Sequence, residues 1–275
     1  MDVELVLLAL LGVAVGAYGT VIGAGGGFVL VPLLLIIYPD YPPERVTAIS
    51  LAVIWANASS GSIAYARQRR IDYVTGFIFV AASIPGVIGG ALLVHLVTER
   101  LFSLLFGLLL LGVVVVLLRR PAMVVREPLR GRGVLVRTLR GPEGATYRYG
   151  FRVWQGALLS LGIGFASSLF GIGGGIIHVP AMILLFHIPI TIAVATSHMV
   201  LAFMAGGGTV IHLANGTLSG EALRQAVAIG AGAVVGAQIG AAISHRVSGR
   251  AVLGLLSIAL VGLAARLLLR GIFDI

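Results

Sequence analysis

Two triplets of glycine, Gly25–Gly27 and Gly173–Gly175, stand inside apolar stretches of this 275-residue chain, each followed five residues later by a proline, Pro32 and Pro180. A glycine costs roughly 1 kcal/mol against alanine inside a helix, so a plain apolar helix does not carry three in a row at two places. Proline suits the first turn of a new helix, where its missing N–H is harmless. The spacing predicts a helix that stops, an unwound glycine stretch, and a half-helix that restarts. Backbone amides freed at that restart, together with the positive end of the half-helix dipole, would hold an anion without a charged side chain. The competing role is a hinge or close-packing point with no ligand. Nucleotide-binding motifs do not fit these glycines, because the flanks are long apolar runs and the chain has no lysine.

A small set of polar residues accompanies them. Ser50, Asn57, Ser59 and Ser60 lie in one apolar run, and Thr196, Ser197, His198, Thr209 and His212 in another. Hydroxyls and an amide can bind oxyanion oxygens without imposing charge; hydrogen bonding between helices is their alternative use. His178 follows the second glycine triplet by three residues and is the side chain expected to reach a ligand. A histidine could donate a hydrogen bond to an anion or carry a coupling proton, a role assigned here to His178 or His198. His198 and His212 are fourteen residues apart and would project within about 40° of each other on one helix. The bland alternative for each is a neutral ring bonded to a backbone carbonyl. No HxxxH or carboxylate-containing cluster points to a metal.

The elements that position these residues must be membrane spans. Hydrophobic residues make up 59% of the chain and charged ones 11%, and the mean hydropathy is +1.08. So few charges cannot cover a soluble globule. The apolar runs are continuous rather than alternating, which fits helices in lipid and not a barrel. Runs fall near 3–22, 28–38, 46–66, 73–97 and 101–118, then near 153–170, 176–188, 191–213, 222–244 and 251–269. The start of the chain lacks a basic leader, so the first run is expected to be kept as a span. There is no cysteine, and no acid sits centrally in a span, which argues against an enzyme.

Between the two sets of runs lie nine arginines and two glutamates in 119–152, a net +7 of the chain's +9. A charge so localised argues against a nucleic-acid surface. It reads as a cytoplasmic loop drawn to anionic lipid, with at most a short hairpin around Val134–Leu139. The predicted organisation is therefore a first membrane repeat over 1–118, a basic cytoplasmic linker over 119–152, and a second membrane repeat over 153–275. The halves look like copies: Gly23–Pro32 matches Gly171–Pro180 at an offset of 148, and Gly12, Gly16 and Thr20 fall on Ser160, Gly164 and Ser168. Ala48–Ser50 meets Ala195–Ser197, and Gly61 meets Gly208, at 147. Internal repeats of this kind mark secondary transporters. The small residues every fourth position are read as helix packing alone. Arginine placement leaves two topologies open: four crossings per repeat in parallel, or five in inverted order. The first is favoured.

The twice-occurring G-x-G-G-G-x(4)-P, each followed by A-x-S or A-T-S at the start of a third segment, resembles the TauE/SafE sulfite exporter family of multi-pass permeases. The resemblance covers nearly everything outside 119–152. It implies movement of a sulfur oxyanion such as sulfite or an organosulfonate, sometimes another small organic anion, across the cytoplasmic membrane. The reading is an all-α transmembrane bundle of two repeats with broken helices, working as a secondary transporter by alternating access and needing no cofactor. The anion would meet Gly25–Gly27, Gly173–Gly175, His178, Ser50, Asn57, Thr196, Ser197 and His198. A passive anion channel and a divalent-metal permease using the histidines of the second repeat are the alternatives.

Overall fold

The computed structural model describes residues 3–118, 131–140, 146–244 and most of 254–269. Besides a helical turn at Val94–Leu96 and a short apolar helix at Leu260–Leu269, nine helices and one hairpin are laid out among them: α1 (Val3–Ile22), α2 (Gly27–Ile37), α3 (Pro43–Arg67), α4 (Tyr73–Leu93), α5 (Glu99–Leu118), β1 (Val134–Arg140), β2 (Thr146–Arg152), α6 (Val153–Phe170), α7 (Gly175–Leu184), α8 (Ile190–Ala214) and α9 (Gly220–Ile243). Each begins or ends within a few residues of an apolar run read from the sequence. Six of them, α1, α3, α4, α6, α8 and α9, are long and apolar enough to cross a membrane; α2 and α7 are short. The last predicted run is described over most of 254–269, including the short apolar helix at Leu260–Leu269, while Arg246, Arg250 and Arg270 lie outside the described residues.

The chain folds back at each glycine stretch. Tyr38, just past α2, donates to Glu4 at the start of α1 at 2.6 Å, so α2 returns to the end of the bundle from which α1 set out. Phe186, just past α7, packs 4.9 Å from Phe151, which precedes α6 by two residues. Helices α1 and α9 lie side by side in the same direction, since Gly12 abuts Ile229 and Ala233 while Gly240 abuts Ala17 and Thr20. Helices α4 and α6 do likewise, with Gly86 against Leu161 and Phe165 and Gly90 against Phe165 and Leu169. These contacts make the first half enter from one end and the second half from the other. The favoured parallel arrangement, with one broken crossing per half, is therefore wrong. Three left-handed glycines in each stretch reverse the chain instead of merely interrupting it.

Helices α3 and α8 are the most enclosed of the six. Between them a small apolar cluster of Leu51, Ile54, Ala58, Leu201 and Ala205 fills the middle of the bundle.

The basic linker is more than a loop. β1 and β2 pair antiparallel with Val134 opposite Arg152 and Arg140 opposite Thr146. The sequence reading stopped at Leu139, but Tyr147, Tyr149 and Phe151 alternate along β2 and give it an apolar face. Tyr149 and Phe151 are buried, and Phe151 packs 5.6 Å from Phe79 of α4. The hairpin end of the bundle also carries Arg67, Arg69 and Arg70, at and just past the end of α3. Residues 119–130, expected to touch lipid, lie outside the described residues.

Candidate functional site

The two glycine breaks have the same conformation. Gly23, Gly25 and Gly26 have φ of 81°, 74° and 82°; their counterparts Gly171, Gly173 and Gly174 have 67°, 76° and 79°. Gly26 and Gly174 are the N-caps of α2 and α7, and no side chain caps either helix. The first-turn amides of both half-helices are thus left to something other than a capping residue. The breaks sit back to back at mid-bundle. A Cβ on Gly27 would stand 2.8 Å from the Gly171 carbonyl oxygen, and one on Gly175 would stand 2.7 Å from Ala24 Cα. From this meeting point α2 and α7 run to opposite ends, so their positive termini converge.

Of the expected polar residues, Ser50, Asn57, His178, Thr196, Ser197 and His198 are fully buried, and three of them bond the carbonyls of the glycine stretches. Ser50 of α3 donates to the Gly171 carbonyl at 2.6 Å, and Ser197 of α8 donates to the Gly23 carbonyl at 3.1 Å. Each half therefore ties down the other half's glycine stretch through a residue at the matching position. Asn57 donates from Nδ2 to the Gly25 carbonyl at 2.9 Å, which turns its Oδ1 toward Thr20; Thr20 donates to that oxygen at 2.8 Å. Having spent its one proton there, Thr20 Oγ1 must accept from His198 Nε2, 3.2 Å away. His198 is consequently the Nε2–H tautomer, and its remaining lone pair is on Nδ1. Tyr65 completes this hub by donating to the Thr20 carbonyl at 2.9 Å.

The second break is less fully served. His178 lies 3.1 Å from Ser160 Oγ through Nε2 and stacks on Phe79, but its Nδ1 has no partner. The hydroxyls of Ser167 and Ser168, and both ring nitrogens of His212, are likewise buried without a partner. Ser168 is the counterpart of Thr20, and His212 of Tyr65. The first break's polar shell leaves only His198 Nδ1 without a partner; the second leaves several donors and acceptors unpartnered. Replacing Thr20 by valine, nearly the same shape, should strand Asn57 and His198, each buried group costing about 1–3 kcal/mol when left unsatisfied. A fall in the thermal unfolding midpoint in detergent, with Ser168→Val much milder, would show the difference between the two shells.

The space between the breaks is closed. A Cβ on Gly25 would lie 2.6 Å from Leu201 Cδ2 and 3.0 Å from Ile54 Cγ2, and one on Gly173 would lie 2.8 Å from Ile54 Cγ2. Ile54 and Leu201 thus fill the space between the two breaks in this conformation. Among the described residues, no three His, Cys, Asp or Glu side chains gather in a way that could hold a metal ion.

Thr196 is used differently from its neighbours. Its Oγ1 accepts the backbone N–H of Asp72 at 3.0 Å, and Asp72 is the N-cap of α4. The Asp72 carboxylate is fully buried, takes a forked pair of hydrogen bonds from Arg137 of β1 (Nη2 to Oδ1 2.9 Å), and accepts from Thr75 Oγ1 at 2.6 Å and from Tyr149 of β2. Burial pushes this carboxyl up, but the hydrogen bonds from Arg137, Thr75 and Tyr149 outweigh it and hold Asp72 below the ordinary aspartate value. The ion pair's contribution is therefore present above about pH 4 and is lost only as pH falls through that lower value. Sequence reasoning passed over Thr20, Ser160 and Ser168 as packing residues, and missed Asp72, Arg137, Tyr149 and Tyr65. The readable signal was Asp72 itself, a lone acid directly before a helix with Thr75 three residues on.

The sulfite exporter TauE/SafE family model matches residues 8–267 of the chain. The "Probable membrane transporter protein YunE" of Bacillus subtilis is 32% identical over 98% of this chain and 99% of its own length. A "Probable membrane transporter protein" of Xylella fastidiosa (strain 9a5c) is 29% identical over 68% of this chain and 64% of its own, and MJ0441 of Methanocaldococcus jannaschii, similarly named, is 25% identical over 77% and 73%. No solved structure matches. With its six membrane-length helices and its two reversed glycine stretches, this chain is a membrane transporter that belongs to the TauE/SafE sulfite exporter family.

Proposed function

We propose that the protein is a secondary carrier of a small oxyanion, sulfite or an organosulfonate, working by alternating access between two inverted repeats in the cytoplasmic membrane. The observation that carries this reading is the convergence of two uncapped half-helix N-termini at one point deep in the bundle. Their dipoles and amides favour negative charge there, and a low-dielectric surrounding strengthens that preference. The reciprocal bonds from Ser50 to Gly171 and from Ser197 to Gly23 support the duplication. The vacant hydroxyls of Ser167 and Ser168 and the vacant Nδ1 of His178 offer a polar guest further partners at the second break.

The closed centre favours a carrier over an open channel, since Ile54 and Leu201 must move before an anion can reach the amides. If a proton accompanies the anion, the free Nδ1 of His178 or of His198 would receive it. Arginine is concentrated at the hairpin end, where Asp72 is the one acid among the described residues, and this charge bias supports a cytoplasmic position for that end. The arginines of 119–130 would then meet anionic lipid.

A binding panel tests the reading. Detergent-purified protein is melted with sulfite, thiosulfate, organosulfonates, carboxylates and divalent cations in turn. A sulfur oxyanion at about a hundred times its Kd should stabilise the folded state by about 2.7 kcal/mol, while carboxylates do less. Stabilisation by divalent cations alone, or by none of the anions, would remove the proposal.

A further inference from the structure

The hairpin of the linker joins four helices at one end of the bundle. β2 runs directly into α6; Phe151 packs on Phe186 at the end of α7's return and on Phe79 of α4; Arg137 and Tyr149 grip Asp72 at the start of α4. Through its own N–H, Asp72 is held to Thr196, the residue before Ser197, which fixes the Gly23 carbonyl, and two before His198, which donates to Thr20. Hydrogen bonds, joined by the backbone of Asp72 and of Thr196–His198, therefore connect the linker to the first glycine break.

The opposite end is fastened by other means. Arg45 at the start of α3 meets Glu221 at the start of α9 at 3.0 Å, and Thr217 donates to Glu44 at 2.7 Å. The two ends differ in how hard they are to open. The side chains of Arg45 and Glu221 are 28% and 63% exposed, a pair that water readily replaces. The Asp72 side chain is 0% exposed, and parting it from Arg137 leaves a buried charge uncompensated.

We infer that Asp72 and Arg137 are positioning residues of the transport cycle: their pair latches the hairpin as the gate at the basic end, so that the carrier opens more readily at the opposite, acidic end. The plug between the glycine breaks supplies the reporters. Ala58 of α3 lies on the hairpin side of Ile54, and Ala205 of α8 lies beyond Leu201 on the other side; both are fully buried. The chain has no cysteine, so a single introduced thiol reports alone.

The experiment labels A58C and A205C with a membrane-impermeant thiol reagent, applied to full-length protein in vesicles of either orientation. Arg137→Gln should speed labelling of A58C from the hairpin side by about tenfold or more, because labelling follows the open population. It should leave A205C unchanged from the far side, and Arg137→Lys should stay near the original rate. Tyr149→Phe, which removes one donor to Asp72 at constant volume, should give an intermediate acceleration, and it serves if Arg137→Gln fails to fold. A lowered melting point with unchanged labelling in folded Arg137→Gln or Tyr149→Phe would make the hairpin a mere staple and overturn the latch. The gate rests on the carrier reading. Labelling needs no anion, however, so failure of the binding panel and failure of the latch are separate results.

Discussion

Gly174→Ala will cut oxyanion uptake into proteoliposomes by about tenfold or more while the protein still folds. At φ 79° an alanine is strained by about 1–2 kcal/mol, as any L-residue is in the left-handed region. Its Cβ would stand 2.7 Å from Ile163 Cγ2 and 3.2 Å from Met204 Cε, both ends of side chains that can give way. Folding therefore survives. The loop does not keep its shape: strain at the N-cap is relieved by turning the peptide planes on either side, and those planes aim the first amides of α7. Gly26→Ala is the harsher partner, because its Cβ would lie 2.7 Å from the Val15 carbonyl oxygen, and backbone cannot step aside. Uptake by Gly174→Ala within twofold of the parent, at equal folded protein, would mean that these amides do not hold the anion.

The order of the helices was legible because each is a continuous apolar run bounded by charge or by Pro and Gly, and the breaks were legible because each glycine triplet there is followed five residues on by a proline, as Gly206–Gly208 inside the continuous α8 is not. The fold-back was not. Its direction depends on the sign of φ at three residues per break, while the arginine pattern that should have settled topology is divided at the second half's ends. Side-chain roles were half readable. Ser50, Asn57, Ser197 and His198 were found by type, yet a buried hydroxyl or amide bonds a ligand and a loop carbonyl equally well. The structure puts these four on carbonyls or on Thr20. Thr20 was hidden by its setting: in a row with Gly12 and Gly16 it looks like another small packing residue. Asp72 was hidden by distance. Its partner Arg137 is 65 residues away and one of nine arginines in the linker, so no spacing rule selects it.

The glycines outside the breaks make the opposite prediction: Gly236→Leu should destroy the fold, not the function alone. In lipid there is no hydrophobic force between helices, so α1 and α9 hold together by close backbone approach. A Cβ on Gly236 would lie 2.7 Å from the Ala17 backbone nitrogen, and one on Gly16 would lie 2.7 Å from Ala233 Cα, each side chain meeting main chain. A leucine there cannot be absorbed by a rotamer change. The helices must part along their length, and overpacking that costs about 1–3 kcal/mol where a core can yield should cost more here. Because α1 and α9 come from different halves, their separation also loosens the seam through which Gly240 meets Ala17 and the Thr20 hub. Gly162→Leu is the matched control: nothing lies within 4 Å of its Cβ position, and losing a mid-helix glycine should be neutral or stabilising by up to about 1 kcal/mol. Size-exclusion profiles and thermal melts in detergent read both. A monodisperse Gly236→Leu protein melting near the parent would show that α1 and α9 can separate freely, and then the two halves are held together by α3, α8 and the hairpin instead.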